Sequence, residues 1–265
     1  MKILLAAALC VLAFAGTVAA ESSQRVAPEE FGQVIINNYS KTAGLPAVVF
    51  DHWLHRSMFT CRLCHVDIGF AMEANGTNIT AKTNMQGYFC GTCHNGKRKH
   101  GDTAIFASCS DHFTLDEGKL CDRCHSLGNN ARRKYNFFEY TKNLPQKGLK
   151  GLGDGIDWEG AEEGGVIKPI DSIEGVSMTR PKFKAQGDFS IQSHGWMSDV
   201  IFSHKKHAVW NGCEVCHPDI FPSVHKGDVK YTMFDIYEGQ YCGVCHGKVA
   251  FSLYDCQRCH TKPVQ

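Results

Sequence analysis

The chain has 265 residues, which allows one or two domains. Its 28 lysines and arginines nearly balance its 27 aspartates and glutamates, which excludes a nucleic-acid-binding protein that relies on a basic excess. Hydrophobic residues make up 43% of the chain, which excludes a wholly disordered protein. The unusual feature is the 14 cysteines and 14 histidines, which require a cofactor or metal explanation.

Residues 1–20 have the pattern of a secretory signal peptide. Lys2 precedes an apolar run over residues 3–15, and small residues at 18–20 suit cleavage before Glu21. The apolar run is too short to span a bilayer comfortably. We therefore predict export of the mature chain, which begins with an N-terminal extension over residues 21–46, into a disulfide-permissive compartment.

Six copies of one short motif account for twelve of the cysteines. Each copy reads C-x-x-C-H, the attachment pattern of haem c. Two thiols form thioethers with one porphyrin, and the histidine that follows ligates the iron, so the pattern predicts six covalently bound haem c groups. The predicted thioether cysteines are Cys61, Cys64, Cys90, Cys93, Cys121, Cys124, Cys213, Cys216, Cys242, Cys245, Cys256 and Cys259. The predicted proximal histidines are His65, His94, His125, His217, His246 and His260.

Three other interpretations of the cysteine pairs are weaker. Zinc sites or tandem redox motifs would not need a histidine after every second cysteine, and six accidental placements have a probability of roughly 10⁻⁸ for a motif of this kind. Six disulfides across two-residue loops would be strained and easily reduced, and so would stabilise the fold poorly. The haem interpretation explains every residue of the motif.

The spacing of the motifs repeats along the chain. A shift of 152 residues aligns 48–94 with 200–246 without a gap, and an H-x-x-H segment precedes the first motif in both copies. We predict two tandem trihaem modules, module A over residues 47–126 and module B over residues 199–265. The connector between them, residues 127–198, is rich in glycine and acidic residues, and we expect it to be flexible or irregular.

Eight histidines remain after the six proximal ligands are assigned, and six irons need six further ligands. This supply favours bis-histidine, six-coordinate irons, which transfer electrons and leave no position for a substrate.

F-x-H-x-x-H followed by three C-x-x-C-H motifs resembles the class III multihaem cytochromes, which are trihaem and tetrahaem periplasmic carriers of metal- and sulfate-reducing bacteria. The resemblance covers both modules but not the connector or the N-terminal extension. It implies that the first histidine of H-x-x-H ligates the first haem of its module and that the second ligates the next haem. The implied pairs are His52 with His65, His55 with His94, His204 with His217, and His207 with His246.

The third distal ligand departs from that family's pattern. In module B, His225 is the natural substitute for the haem on His260. The equivalent position in module A is Glu73, so the haem on His125 needs another ligand. We predict His112, which lies in a segment that module B lacks. The alternatives are His100, Met85 and Met72, and a methionine ligand would raise that haem's potential.

Two residues stay without an assigned role. Cys109 is outside the motifs, and we rank an inert thiol above an intermolecular disulfide or an iron ligand. His194 lies in the connector and is a candidate for ligand donation between chains.

The predicted fold is that of a small multihaem cytochrome c, with few short helices and mostly loops packed around haems in two tandem modules. The predicted function is electron transfer in the periplasm, with an extracellular location as the alternative, during anaerobic or extracellular respiration. The resemblance implies redox partners, namely a membrane quinol-oxidising cytochrome and a terminal reductase or outer-membrane conduit. We expect no catalytic residues and no nucleic-acid partner. The competing functions are a multihaem reductase with one open iron, disfavoured because no C-x-x-C-K variant occurs, and a cytochrome filament subunit.

Overall fold

The computed structural model describes residues 26–109, 121–180, 184, 186–193 and 195–262. Within these ranges short helices and two-stranded sheets are joined by long loops, so the predicted architecture of few short helices and mostly loops is confirmed. The strands are β1 (Gln33–Ile36), β2 (Val48–Asp51), β3 (Lys99–His100), β4 (Thr103–Ala104), β5 (Phe189–Ile191) and β6 (Val200–Phe202). The α-helices are α1 (His52–Arg56), α2 (Ala81–Met85), α3 (Asn129–Lys134), α4 (Phe137–Thr141), α5 (Trp158–Glu163), α6 (His204–Asn211) and α7 (Met233–Tyr237).

Tighter or wider helical turns occur at several of the C-x-x-C-H motifs. A π-helix spans Leu63–Ile68, and 3-10 helices span Phe89–Thr92, Tyr241–Val244 and Cys256–Arg258. A further 3-10 turn, Pro28–Glu30, lies near the start of the described chain. Short turns of this kind suit a motif that must present two cysteines and a histidine to one side within five residues.

The sequence repeat is also a structural repeat. In each copy an antiparallel hairpin leads into the helix that carries H-x-x-H, because β1 pairs with β2 and β5 pairs with β6. The first strand of each hairpin lies upstream of the predicted modules, in the N-terminal extension for β1 and in the connector for β5. The predicted module starts at 47 and 199 therefore fall between the two strands of a hairpin.

Helices α2 and α7 occupy the same place in the two repeats and begin with the same capping box. The Thr80 hydroxyl accepts a hydrogen bond from the Thr83 N–H, and the Thr232 hydroxyl accepts one from the Asp235 N–H. In both helices the third residue bonds back to the N–H of the capping threonine. These reciprocal bonds fix the helix start without help from a large apolar face.

The hydrophobic core lies between the modules and is built mainly from the connector. One buried residue comes from a helix of module A, one from a helix of module B, and the other six from the connector, in part from its helices α4 and α5. The buried members are Trp53, Phe137, Leu144, Ile156, Trp158, Ala161, Ile167 and Trp210. The described part of the connector thus differs from the expected flexible segment. The connector is rich in glycine and acidic residues on average, but it also contains widely spaced apolar side chains, which long-range packing brings together.

Ion pairs and backbone bonds also join the connector to both modules. Arg180 pairs with the buried carboxylate of Asp67 in module A and, through Nε at 2.6 Å, with Glu214 in module B. The Thr60 N–H donates to the Ile170 carbonyl at 3.1 Å, just before the first haem motif. The connector therefore holds the first motif of module A close to the first motif of module B.

We expect Trp158→Ala to destabilise the protein by about 4 kcal/mol, because the indole is 4% exposed and its Nε1–H donates to Asp154 at 2.7 Å. Trp196→Ala is the matched control, since that indole is 89% exposed, and we expect a change below about 0.5 kcal/mol. Denaturant unfolding of the holo protein, followed by intrinsic fluorescence, measures both. Equal effects of the two substitutions would show that the connector core does not stabilise the fold.

Candidate haem-binding site

The motif cysteines have the state that a covalent tether requires. Free thiols occur at both cysteines of the first, second, fourth, fifth and sixth motifs. Burial, as the largest cause, raises the pKa of the Cys64 and Cys90 thiols to about 12. At neutral pH these thiols are therefore protonated. No group of three or more His, Cys, Asp or Glu side chains within the described ranges is arranged around a metal position, whereas a structural zinc site needs four ligands.

One aromatic ring positions both histidines of each H-x-x-H segment. Phe50 contacts His52 edge-on at 4.9 Å between ring centroids and His55 at 4.3 Å. In module B, Phe202 contacts His204 edge-on at 4.9 Å and His207 at 4.4 Å. The strand that ends each hairpin therefore places a phenylalanine against two successive helical histidines, and it does so with the same geometry in both repeats.

Three of the predicted axial pairs lie at one spacing. The ring centroids of His52 and His65 are 6.4 Å apart with nearly parallel planes, at 4°. His55 and His94 are also 6.4 Å apart, and His207 and His246 are 6.2 Å apart. Two metal–imidazole bonds of about 2 Å each, plus roughly 1 Å from nitrogen to centroid on each side, give about 6 Å. The residues present therefore fit an iron with two axial imidazoles.

Hydrogen bonds fix the tautomer of these rings. His65 donates from Nδ1 to the Phe70 carbonyl at 3.0 Å, and His217 donates to the Phe221 carbonyl at 2.7 Å. His55 and His207 donate to the carbonyl four residues before each, at 3.2 and 2.8 Å. Because a carbonyl only accepts, Nδ1 carries the proton and Nε2 keeps a lone pair for a metal.

Burial also keeps the axial histidines neutral. It is the largest cause that lowers the pKa of His52 to about 4, of His94 to about 4 and of His246 to about 3. Metal ligation requires the neutral imidazole, so these rings have the required protonation state without a pH change.

The third motifs are equivalent although their spacing differs. His125 donates from Nδ1 to the Pro46 carbonyl at 2.8 Å, and His260 donates to the Ser198 carbonyl at 2.6 Å. Positions 46 and 198 are related by the same shift of 152 that relates the H-x-x-H segments. Each third motif thus returns to the loop before the second strand of its own hairpin, whichever loop length precedes the motif.

The ungapped alignment is wrong by one residue after the first motif. Phe70 lies 5.7 Å from Phe89, and the ring at the matching place in module B is Phe221, 5.8 Å from Tyr241. The backbone N–H groups of Phe70 and Phe221 also donate to equivalent carbonyls, those of the second cysteine in each motif. The local shift is therefore 151, because Gly69 has no counterpart in module B.

The backbone before the second and fifth motifs is in an unfavourable conformation. Phe89 and Tyr241, each directly before the first cysteine, have φ of +48° and +49°. Large side chains rarely occupy this region, and such residues collect at functional sites where the surroundings impose the conformation. Both modules use it to turn the chain from helix into motif.

Other predicted ligands do not meet their partners in the structure. His225 is exposed, with its N–H bonded to Ser223, and makes no ring contact with His260. His204 has a buried Nδ1 without a hydrogen-bond partner, and its ring packs on Phe189 and Phe202, not on His217.

The described candidates for the haem on His125 are not brought to His125, and the predicted ligand His112 stays a prediction. His112 and His194 lie outside the described residues. His100 packs against Phe59 at 6.1 Å. The side chains of Met72 and Met85 are 37% and 43% exposed, and nothing in the described chain brings either to His125. The Cys109 thiol is half-buried, and burial raises its pKa.

Successive motifs are neighbours in space. The thiol of Cys64 lies within electrostatic range of Cys93, and that of Cys90 within range of Cys124. Module B repeats this order, since the Cys242 thiol interacts with those of Cys216 and Cys259. The modules meet at the first motif, because the Cys61 thiol is within range of Cys216 and Cys245.

The motif search alone did not find the residues that orient the histidines. These are the carbonyls of Gly32, Pro46 and Ser198 and the rings of Phe106 and Phe251, which contact His94 at 4.5 Å and His246 at 4.2 Å. Extending the 152-residue alignment upstream would have identified positions 46 and 198. No sequence signal marks Gly32, because any residue provides a carbonyl.

Comparison with known proteins gives one family and a set of solved structures. The model of cytochrome c7 and related cytochrome c matches residues 48–126 and 200–261. The C-terminal hexaheme fragment of GSU1996 is 25% identical, with a TM-score of 0.26, covering 87% of this chain and 97% of that chain. The dodecaheme cytochrome c GSU1996 is 24% identical, with a TM-score of 0.27, covering 87% and 48%. Curated proteins give no significant match.

The described helices include none with the length and apolar composition to cross a bilayer. The family match covers more than half of the chain and contains all six C-x-x-C-H motifs, the two H-x-x-H segments and the three closely spaced histidine pairs. On these grounds the chain is a multihaem cytochrome c and belongs to the family of cytochrome c7 and related cytochrome c.

Proposed function

We propose that the protein is an exported hexahaem electron carrier that relays electrons between redox partners in the periplasm. The proposed context is anaerobic or extracellular respiration, with a membrane quinol-oxidising cytochrome as donor and a terminal reductase or outer-membrane conduit as acceptor. The observation that carries the proposal is the spacing of the three histidine pairs, 6.2–6.4 Å between centroids. An iron held between two imidazoles has no position for substrate, which favours a carrier over a reductase.

The chain's own residues hold and tune the cofactors. The cysteines of each motif tether one haem c, whose iron supplies reversible one-electron chemistry when bound. The Nδ1–H bonds to backbone carbonyls orient the axial rings and raise their basicity as ligands. Half-buried phenylalanines beside the rings limit the access of water, and a drier environment reduces the rearrangement that accompanies a change of iron charge.

The arrangement of the thiols supports relay from one end of the molecule to the other. In module A the motifs follow one another in space in the order third, second, first. The series continues into module B because the Cys61 thiol lies within electrostatic range of Cys216 and Cys245. Electrons that enter at one module would therefore leave at the other without passing through a partner between them.

The test is a haem count combined with electron paramagnetic resonance of the oxidised full-length protein. We expect six haem c per chain by pyridine haemochrome and only low-spin iron signals. The nearly parallel pair His52 and His65 is expected to give a well-resolved rhombic signal, distinct from those of the strongly twisted pairs. A stoichiometric high-spin signal that shifts with nitrite or cyanide would contradict the electron-carrier function and favour a reductase.

A further inference from the structure

Arg56 lies at the junction of the two modules, and within the described residues its guanidinium forms no direct salt bridge with a carboxylate. It follows His55 at the end of α1, and its Nη1 donates to the Val249 carbonyl of module B at 2.6 Å. Its Nε is buried and finds no hydrogen-bond acceptor among the residues that the structure describes. A buried guanidinium with unused donors is costly unless an anion or other acceptor satisfies it.

Two tryptophans hold this guanidinium in place. Its carbon lies 4.7 Å from the ring centroid of Trp158 in the connector and 5.5 Å from that of Trp210 in module B. Contacts of this length are favourable cation–π interactions. They fix the plane of the guanidinium but leave its N–H edges for an acceptor, because aromatic faces satisfy no donor in the plane.

The nearby carboxylate is already engaged. Asp154, which is 7% exposed, accepts from the Ile156 N–H at 3.1 Å and from the Trp158 indole N–H at 2.7 Å. It interacts electrostatically with Arg56 and also with a second arginine, Arg258, whose guanidinium lies 4.2 Å over Phe251. A second buried carboxylate, Asp255, lies beside Arg258. Arg56 is therefore the cation whose nearby carboxylate, Asp154, already accepts hydrogen bonds on both oxygens.

Residues of the first and fifth haem motifs lie around Arg56 and Arg258. The thiols of Cys61 and Cys245 both interact with Arg56, and Phe251, under Arg258, packs against His246. Each haem c carries two propionate groups, which are the carboxylates that the holo protein adds here. Carboxylates match the planar donor fork of arginine.

We propose that Arg56 is a propionate-binding residue that holds a haem of the first or fifth motif at the module junction and raises its reduction potential. The inference rests on the proposed haem content. A buried positive charge stabilises the electron that reduction adds, and the interaction is strong where water is excluded. Because the same side chain also touches the connector and module B, it couples the position of that haem to the contact between modules.

The experiment compares holo Arg56→Gln, Arg56→Lys and the wild type, with Arg133→Gln on the exposed helix α3 as the control for loss of one charge. A redox titration followed by nuclear magnetic resonance resolves individual haems, and resonance Raman spectroscopy reports on propionate bending. For Arg56→Gln we expect one midpoint potential to become more negative, the other five to stay unchanged and one propionate band to shift. Arg56→Lys keeps the charge and loses the fork, so its band should shift while its potential moves less.

Unchanged potentials and propionate bands in Arg56→Gln with six haems attached would overturn the proposal, and so would a change of the same size in Arg133→Gln. If Arg56→Gln does not acquire its haems, the Arg56→Lys variant tests the proposal instead. A propionate band in Arg56→Lys that equals that of the wild type would overturn the proposal. The haem count on every sample separates this failure from a failure of the proposed function, because a chain with fewer than six haems contradicts the haem content independently of Arg56.

Discussion

In the His207→Ala variant, one of the six proposed irons should change from low spin to high spin in the oxidised protein. The ring of His207 lies 6.2 Å from that of His246, and removal of the imidazole leaves the iron on His246 with an open position. Electron paramagnetic resonance should show one high-spin iron per chain, and added imidazole should restore the low-spin state. The midpoint potential of that haem should change while those in module A stay in place.

Lys205→Ala is the matched control, because Lys205 is exposed on the same helix and its replacement changes helix propensity by a similar small amount. It should retain six low-spin irons. A His207→Ala variant that remains fully low spin would show that another residue, or a different histidine, occupies the distal position of that haem.

Adding one methyl group in Gly243→Ala should destabilise the protein by about 3 kcal/mol and lower haem attachment at the fifth motif. An alanine Cβ there would lie 1.9 Å from the carbonyl oxygen of Ile236, and this contact is with backbone. The equivalent substitution, Gly91→Ala, would place Cβ 1.8 Å from the Asn84 carbonyl and should have the same effect in module A. Mass spectrometry of the holo chain counts attached haems, and denaturant unfolding gives the stability.

Gly187→Ala is the control, since nothing lies within 4 Å of a Cβ at that position and its φ needs no glycine. We expect full haem content and a stability change within about 0.5 kcal/mol. Normal haem attachment in both Gly91→Ala and Gly243→Ala would mean that the helix before each motif is not packed against it as the structure places it.

The haem-binding residues were predictable because covalent attachment fixes their spacing within five residues. C-x-x-C-H is a local pattern, and its chemistry does not depend on tertiary contacts. The pairing of His55 with His94 was available only through the family resemblance, since 39 positions separate them and nothing local specifies the partner. The ungapped alignment missed the one-residue shift at Phe70 and Phe221, because a compensating insertion later in module B restores the overall shift of 152 residues.

By itself, the sequence determined the internal repeat and the fold class and predicted the covalent tethers and the proximal histidines, because each is encoded in short or regularly spaced patterns. Only the tertiary structure decided that the connector forms the core, since Trp53, Trp158 and Trp210 lie far apart in the chain and become neighbours only on folding. Likewise, only the structure showed an arginine between two tryptophans where the modules meet. The physical reason is that burial and charge compensation depend on what packs nearby. The carbonyl and the two indole rings that hold the Arg56 guanidinium belong to residues about one hundred or more positions away.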